Sequence, residues 1–483
     1  MNKPLKLILA FLFCAVLSSQ LRAQLWYLTR GLGTDEVAWG VDVDSAGNIY
    51  WAVEEKYQSP FWYYDVLLFR IDSTGQQVWQ STPYGGQFNE LAFVVNVTGP
   101  TVYLAGRMDS SWLPTSGDAM VLSYNTTNAS LNWQYRYDPP VDYGYEEIDG
   151  LVVQPDGIYL TGWTKSQSTD EDFLIQKITL TGQLVWTNTW DYAGQFDGAN
   201  GHMVMDDTAI YAAGHGSLLS GTLVSFDRTD GSYNWDVTWH PSANDEVLGL
   251  NMSSDSMLYT VGHYSPGSSQ ICLKKFTRSG TLLWTKTWGG SGTEDARSLV
   301  TDGDSIIYVA GTTSSYGAGG KDVVVLKYNS SGVLIDSLTW GGAYDEVAKD
   351  IAIYNGMLYI TGETQSFGNG LTNGDHANDG FLLKVNGRTM QAPDSTMNAV
   401  HGQYSDEPSV QIYPNPASDQ LIVRSQGTGL LEIRDVFGTV VGEWELSAGV
   451  NFIALPEIAQ GMYISTIVTG NSVISDKLII GSN

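Results

Sequence analysis

Cysteine is nearly missing from this 483-residue chain, which has two. Cys14 lies in an apolar N-terminal run and leaves with it if that run is removed, so Cys272 stands alone and no internal disulfide can form. Its setting, Gln270-Ile271-Cys272-Leu273, reads as a strand that buries the thiol, and stability has to come from packing. Positive charge is scarce as well. Lys and Arg number 24 against 52 Asp and Glu, a net charge of −28. Such a surface repels phosphate backbones and anionic membranes, so nucleic acid is not expected as a partner, while cations such as calcium are favoured. The apolar run Leu7–Leu17 is far shorter than the roughly 20 residues of a membrane helix, and no transmembrane segment is expected. The six histidines, His202, His215, His240, His263, His376 and His401, form no close pair, and neither GxSxG nor HExxH occurs. No catalytic residue is nominated, and no cofactor is required beyond a possible calcium ion.

What is present begins with an export signal. Lys3 and Lys6, the run Leu7–Leu17, and Leu21-Arg22-Ala23 before Gln24 have the three parts of a secretory signal peptide over residues 1–23. Its removal takes Lys3, Lys6 and Arg22 with it, so −28 becomes −31.

Internal repetition governs residues 25–387. A Tyr-x-x-Gly unit recurs at Tyr103, Tyr159, Tyr211, Tyr259, Tyr308 and Tyr359, with a degenerate copy at Tyr50, at spacings of 53, 56, 52, 48, 49 and 51 residues. Each period holds four short apolar segments and no helical periodicity. In the sixth these are Ala296–Thr301, Ile306–Gly311, Asp322–Tyr328 and Val333–Trp340, separated by Gly- and Ser-rich turns. Four strands per unit and seven units predict an all-β chain built as a seven-bladed β-propeller. Trp26-Tyr27-Leu28-Thr29 matches a fourth strand, whereas the seventh unit stops after its third, Gly380–Val385. Pairing the two predicts closure of the ring without a disulfide. Trp26, Trp79, Trp133, Trp186, Trp235 and Trp284 occupy one repeat position, and Trp190, Trp239, Trp288 and Trp340 lie four residues later. Residues that recur in most units are read as packing between blades.

Recurrence also decides how the charged groups are read. Acidic residues precede the first strand of every unit (Glu36, Glu90, Glu146, Asp197, Asp245, Glu294, Glu346) and are read as caps of their own Gly-Gly turns, with a cation ring as the alternative. Asp322 with Lys327 and Asp379 with Lys384, at i and i+5, face opposite sides of a strand and cannot pair within a blade. His215 and His263 occupy equivalent positions after the repeated Gly and are read as structural. A single ligand is expected where the symmetry fails. The irregular insertions carry Phe61, Trp62 and Tyr63 in the first unit, Trp112 in the second, and Tyr143 and Tyr145 before the third. These aromatics are the ligand-binding candidates, suited to stacking on sugar rings or an extended peptide. The long insertion of the seventh unit offers Asp375, Asn378 and Asp379 as oxygen ligands for calcium, without EF-hand spacing.

Residues 388–407 lose the repeat and read as a linker, followed by alternating segments from Gln420 to Ile479 that predict a small Ig-like β-sandwich over 408–483. This last part opens with Tyr413-Pro414-Asn415-Pro416 and closes with Gly461-Met462-Tyr463 and Lys477-Leu478-Ile479-Ile480. It resembles the type A C-terminal sorting domain of type IX secretion cargo. The resemblance implies a Gram-negative source, export through the periplasm, recognition by the type IX secretion machinery, and release or attachment at the outer-membrane surface. The repeat in turn resembles the SBBP class of bacterial β-propeller, carried by Trp284-Thr-Lys-Thr-Trp288-Gly289-Gly290 with Glu294-Asp295-Ala296, Tyr308-Val-Ala-Gly311, Asp322 and Lys327. That class implies a fold and an extracytoplasmic setting with no reaction attached. The expected function is binding or adhesion to an extracellular glycan or protein. The alternatives are a polysaccharide-active lyase or glycosidase on the propeller face and a structural component of the cell envelope.

Overall fold

The structure, a computed structural model, describes residues 25–31, 35–58, 62–85, 88–109, 117–139, 144–165, 171–191, 198–216, 220–239, 245–265, 268–303, 305–368, 377–393, 410–413, 420–425, 428–435, 439–447, 449–455, 458–469 and 472–480. The signal at 1–23, Phe61, Trp112, Tyr143, Asp375, Pro414, Asn415, Pro416 and most of the linker lie outside the described residues. Every regular element among those described is a β-strand, and none of them forms a helix long and apolar enough to cross a membrane.

Between residues 26 and 386 the strands form seven four-stranded antiparallel sheets. In the sixth, the expected segments appear as Glu294–Asp302, Ile306–Thr313, Asp322–Asn329 and Leu334–Trp340. Six sheets use consecutive strands. The seventh is completed from the far end of the sequence, because Trp26–Arg30 pairs antiparallel with Asp379–Asn386, Trp26 opposite Lys384 and Arg30 opposite Gly380. Each consecutive pair of sheets, the seventh with the first included, encloses its own apolar core. Sheets stacked face to face in this way have the architecture of a β-propeller.

The repeated aromatics hold the sheets together. Trp79, Trp133, Trp186, Trp235 and Trp284 on fourth strands lie 6.0–6.3 Å from Tyr50, Tyr103, Tyr159, Tyr211 and Tyr259 on the second strands of the same sheets. Trp26 meets Tyr359 at 6.2 Å in the same way, although these two come from opposite ends of the repeats. The following sheet seals the stack. Its turn glycine has positive φ, +79° at Gly182 and +72° at Gly231, and a Cβ there would meet Trp133 at 2.8 Å or Trp186 at 2.5 Å. The indole of Trp133 donates to the carbonyl of Leu180 at 3.2 Å in that same turn. Third-strand lysines add to the seam. Lys177 and Lys275 lie 4.8 and 5.2 Å over Tyr159 and Tyr259, and Lys384 reaches across to donate to the carbonyl of Ser73 at 2.7 Å. The Asp five residues earlier serves a different end of the strand: Asp322 accepts from the amide of Ala318 at 3.1 Å.

Two sequence expectations change. The first unit's insertion is not a free loop; Ile49–Gln58 and Trp62–Ile71 form an extended hairpin with Tyr57 opposite Tyr63 and Gln58 opposite Trp62. Its aromatic residues favour extended backbone and lengthen the sheet beyond its siblings. The fourth sheet has a first strand of only Val204–Met205, with Gly198 touching His215 as an isolated bridge.

The C-terminal part forms two further sheets. Val410–Tyr413, Gln420–Ser425 and Gly449–Ala454 make one, and Val440–Leu446, Gly429–Arg434, Gly461–Thr469 and Ser472–Ile480 the other. Leu421, Val423, Leu431, Ile433, Ile467 and Leu478 fill one core between them. Tyr463 is buried at its edge and donates to the carbonyl of Ala459 at 2.7 Å, which gives the Gly461-x-Tyr463 motif a packing role. Lys477 pairs with Ile464 in the closing hairpin.

Candidate functional site

First strands carry most of the chemistry, and a repeated backbone irregularity explains why. The register between first and second strands shifts by one residue in six of the sheets, between Ala38 and Gly40, Ala92 and Val94, Ile148 and Gly150, Val247 and Gly249, Ala296 and Ser298, and Ala348 and Asp350. A bulge leaves one extra residue without a partner and turns its side chain away from the sheet. The extra residues are Trp39, Phe93, Asp149, Leu248, Arg297 and Lys349. Together with His202 of the fourth sheet they line one cavity of about 320 Å³, so all seven sheets contribute to its wall. Glycine beside the bulge lets neighbouring first strands close in: a Cβ on Gly249 would sit 2.7 Å from the carbonyl of Arg297.

A second non-repeating position joins the first. The residue after the Gly of the second strand is Arg107, Trp163, His215, His263, Thr312 or Glu363, with Glu54 in the degenerate copy. Trp163 and His215 line the cavity with Glu147, Glu171, Asn200 and Glu246. The remaining members of this position brace the lining. Arg107 pairs with Glu147 at 2.9 Å, Glu363 with Lys349 at 2.9 Å, and Glu54 accepts from Trp39 Nε1 at 2.9 Å.

The wall is divided by charge. Sheets three to five supply acids and amides. Asp149 shares a hydrogen bond with Glu147, and burial lifts both carboxyls above the usual range, Asp149 well above it. Oδ2 of Asp149 is enclosed and has no hydrogen-bond partner among the described residues. Asn200 donates to His215 Nδ1 at 2.7 Å and to Glu246 at 3.2 Å, and burial holds His215 below its ordinary value. His263 lies 3.4 Å from Asp295, and that contact raises its pKa. Sheets six and seven supply cations. Lys349 lies 4.3 Å over the Trp39 ring and Arg297 5.7 Å from it, while burial pulls Lys349 down. Sheets one and two supply the apolar side, with Trp39 and Phe93 edge to face at 5.3 Å. Glu54 behind them is pushed up to about 8 by burial.

The sequence candidates fare unevenly. Tyr145 stacks on Trp163 with centroids 4.6 Å apart and planes 12° from parallel, and the Arg107 guanidinium lies 4.7 Å from the centroid of the Tyr145 ring. Tyr145 is therefore brought to the cavity rim. Tyr63 is half-buried in the extended hairpin, and of Trp62 only the backbone pairing is described. Asn378 and Asp379 are engaged separately. The Asn378 amide donates to Glu363 at 2.8 Å and its oxygen accepts from Gln365 at 3.0 Å. Asp379 is fully buried, facing Gly31 and Gly368. Two of the acids before the first strands cap turns: Glu294 accepts from the amide of Gly290 at 3.0 Å, and Glu346 from Gly342 at 2.7 Å and the hydroxyl of Thr364 at 2.8 Å; Asp197 lies outside the described residues. No group of three or more His, Cys, Asp or Glu that could hold a metal occurs among the described residues. Sequence reasoning missed the bulge residues and set His215 aside as structural. The signal was available: both positions fall inside an otherwise regular repeat and are occupied by a different residue type in nearly every copy.

Comparison with known proteins separates the two halves of the chain. Residues 411–481 match the family described as the secretion system C-terminal sorting domain. The chain thus ends in a type IX secretion sorting domain; it is exported cargo, located outside the cell or on its surface, and the secretion machinery is a partner of that domain. A search of the curated proteins finds no match. Solved structures similar to the chain include U3-55K, at 11% identity over 74% of this chain and 98% of that one with a TM-score of 0.48. The periplasmic gluconolactonase PpgL of Pseudomonas aeruginosa shows 12% identity over 87% and 99%, TM-score 0.44. PorZ, a surface component of the type-IX secretion system of Porphyromonas gingivalis, shows 10% over 92% and 81%, TM-score 0.28. Likeness at this level bears on neither ligand nor activity, and the fold rests here on the sheets themselves.

Proposed function

We propose that residues 25–387 form a closed seven-bladed propeller of the SBBP class that serves as an extracellular recognition module. A signal peptide at 1–23 starts its export from a Gram-negative cell, and a linker at 388–407 joins it to the sorting domain at 408–483. The module binds a glycan or protein outside the cell at the mouth of the cavity. One observation carries this reading: non-repeating side chains from all seven sheets converge on a single cavity, whereas the positions between sheets repeat. A polysaccharide-active enzyme draws less support from the geometry. Glu147 is paired with Arg107 at 2.9 Å and Glu246 accepts from Asn200 at 3.2 Å, so these two carboxyls of the cavity are already engaged.

The test is the mature protein on glycan and matrix-protein arrays, with calcium and with chelator. Two variants accompany it, Trp163→Ala in the cavity and Trp62→Ala/Trp112→Ala in the insertions. Binding lost in the first variant at unchanged melting temperature supports the cavity. Loss only in the second moves the site to the insertions, and loss with chelator adds calcium to it. Turnover of a polysaccharide would replace the reading with an enzyme, and blank arrays without turnover would replace it with an envelope component.

A further inference from the structure

We propose that the cavity takes a zwitterionic ligand of the peptide class, a free amino acid or dipeptide, held by its amino group against Glu147 and Asp149 and by its carboxylate against Arg297. The proposal rests on the recognition reading above and narrows its ligand, at that same site, to one of peptide chemistry small enough to enter the cavity. It starts from charge separation. The acids of the third sheet and the arginine of the sixth line the same half-open cavity, and the Arg297 charge reaches the Asp149 carboxyl. Burial disfavours the charged form of these carboxyls, and an arriving ammonium group would favour it again, while Arg297 meets the carboxylate at the other end.

Both ends have unused capacity. Asp149 Oδ2 is enclosed and without a hydrogen-bond partner among the described residues, a state that costs free energy until a donor arrives. Arg297 has Asp295 3.9 Å away, beyond hydrogen-bonding distance, so its planar fork remains able to grip a carboxylate through two parallel bonds. Between the two, Trp39 and Phe93 offer apolar surface for a side chain.

The aromatic geometry argues against a neutral sugar. Sugar rings stack on open aromatic faces, but Lys349 lies over one face of Trp39 at 4.3 Å and Tyr145 covers one face of Trp163 at 4.6 Å. The volume of about 320 Å³ is at the lower end of small-molecule sites, which run from about 300 to 1,000 Å³. It admits a dipeptide and not a folded chain.

Calorimetry on the full mature chain tests this with glycyl-phenylalanine, its N-acetylated form, its C-amidated form, the doubly blocked form and cellobiose. The expected result is binding of the free dipeptide and at least tenfold weaker binding of each singly blocked form. Arg297→Gln should abolish the preference for the free carboxylate and leave the preference for the free amine; Asp149→Asn should do the converse. If Asp149→Asn does not fold, the blocked ligands and Arg297→Gln decide alone. Equal binding of the doubly blocked peptide, or no binding of any peptide, overturns the ligand class. Cellobiose binding that is lost in the same variants would overturn it too, yet leave the recognition reading standing. Silence toward every ligand here together with blank arrays overturns both.

Discussion

Two neighbouring positions on the second strand of each repeat behave oppositely. The tyrosine of Tyr-x-x-Gly is the same in every copy and almost wholly buried, and in six of the seven it packs on a tryptophan. Four residues on, just past the glycine, the side chain changes from Arg107 to Trp163, His215, His263, Thr312 and Glu363. Four residues keep both on one face of the strand, yet the first lies deep between sheets and the second toward the cavity, which Trp163 and His215 line and Arg107, Glu363 and Glu54 brace. Positions that serve the contact between any two sheets meet the same requirement seven times. Positions at the cavity each see a different part of one space, and so nothing forces them to agree. The contrast teaches where to look for specificity in this molecule.

The largest effect should come from breaking the seam that joins the chain ends. Deleting residues 25–33 removes Trp26 and Leu28 from the core shared by the seventh and first sheets and unpairs Asp379–Asn386. Each large apolar side chain contributes about 1.5–3 kcal/mol on burial, so the melting temperature should fall by many degrees, and an unchanged value would refute the role of that strand. Next, Tyr259→Ala leaves a cavity under Trp284 and should cost about 3–5 kcal/mol in urea unfolding. The matched change at the other position, Thr312→Ala, should cost far less, since the Thr312 hydroxyl makes one described hydrogen bond, accepting from the amide of Ala348 at 3.2 Å, worth about 1 kcal/mol.

A third test uses pH. Burial raises Glu54 to about 8, Glu146 to about 8 and Asp42 to about 7. The folded chain therefore keeps protons that the unfolded chain releases from about pH 4 upward. Stability from these groups is complete below that pH and is lost as pH rises toward 8. His215, held low by burial, acts in the opposite sense over part of this range, a single group against three carboxyls. Urea unfolding at pH 5 and pH 8 should show the lower stability at pH 8, and Glu54→Gln should flatten the slope by about one proton. The smallest effect belongs to the outer strands: Val185→Thr, next to buried-face Trp186 but itself 52% exposed, should stay within about 0.5 kcal/mol of the parent in the same assay.

Much of the architecture was legible because it repeats. The period near 50, the four segments of the sixth unit and the match of Trp26–Thr29 to a missing fourth strand all anticipate sheets that the structure contains. The sorting domain was legible from Tyr413-Pro414-Asn415-Pro416 and Gly461-x-Tyr463, and the family match over 411–481 agrees. None of the aromatic candidates among the described residues lines the cavity; Tyr145 reaches it only through its stacking on Trp163. Trp163, Asn200, Arg297 and Lys349 are far apart in sequence, and each looks like scatter within its own repeat. The bulges that aim Arg297 and Lys349 inward mark the sequence only as a position that varies inside the repeat, and that variation does not say which way the side chains turn.

The repeat, its strand content, the match of Trp26–Thr29 to a missing strand and the export of the product can be read along the chain, because these follow from local pattern and from motifs read by other proteins. Only the tertiary structure decided which irregular residues share a space and how their charges are arranged. Seven sheets contribute to a common cavity, and its lining runs from Trp39 to Lys349, so no short stretch of the chain contains more than a fraction of it.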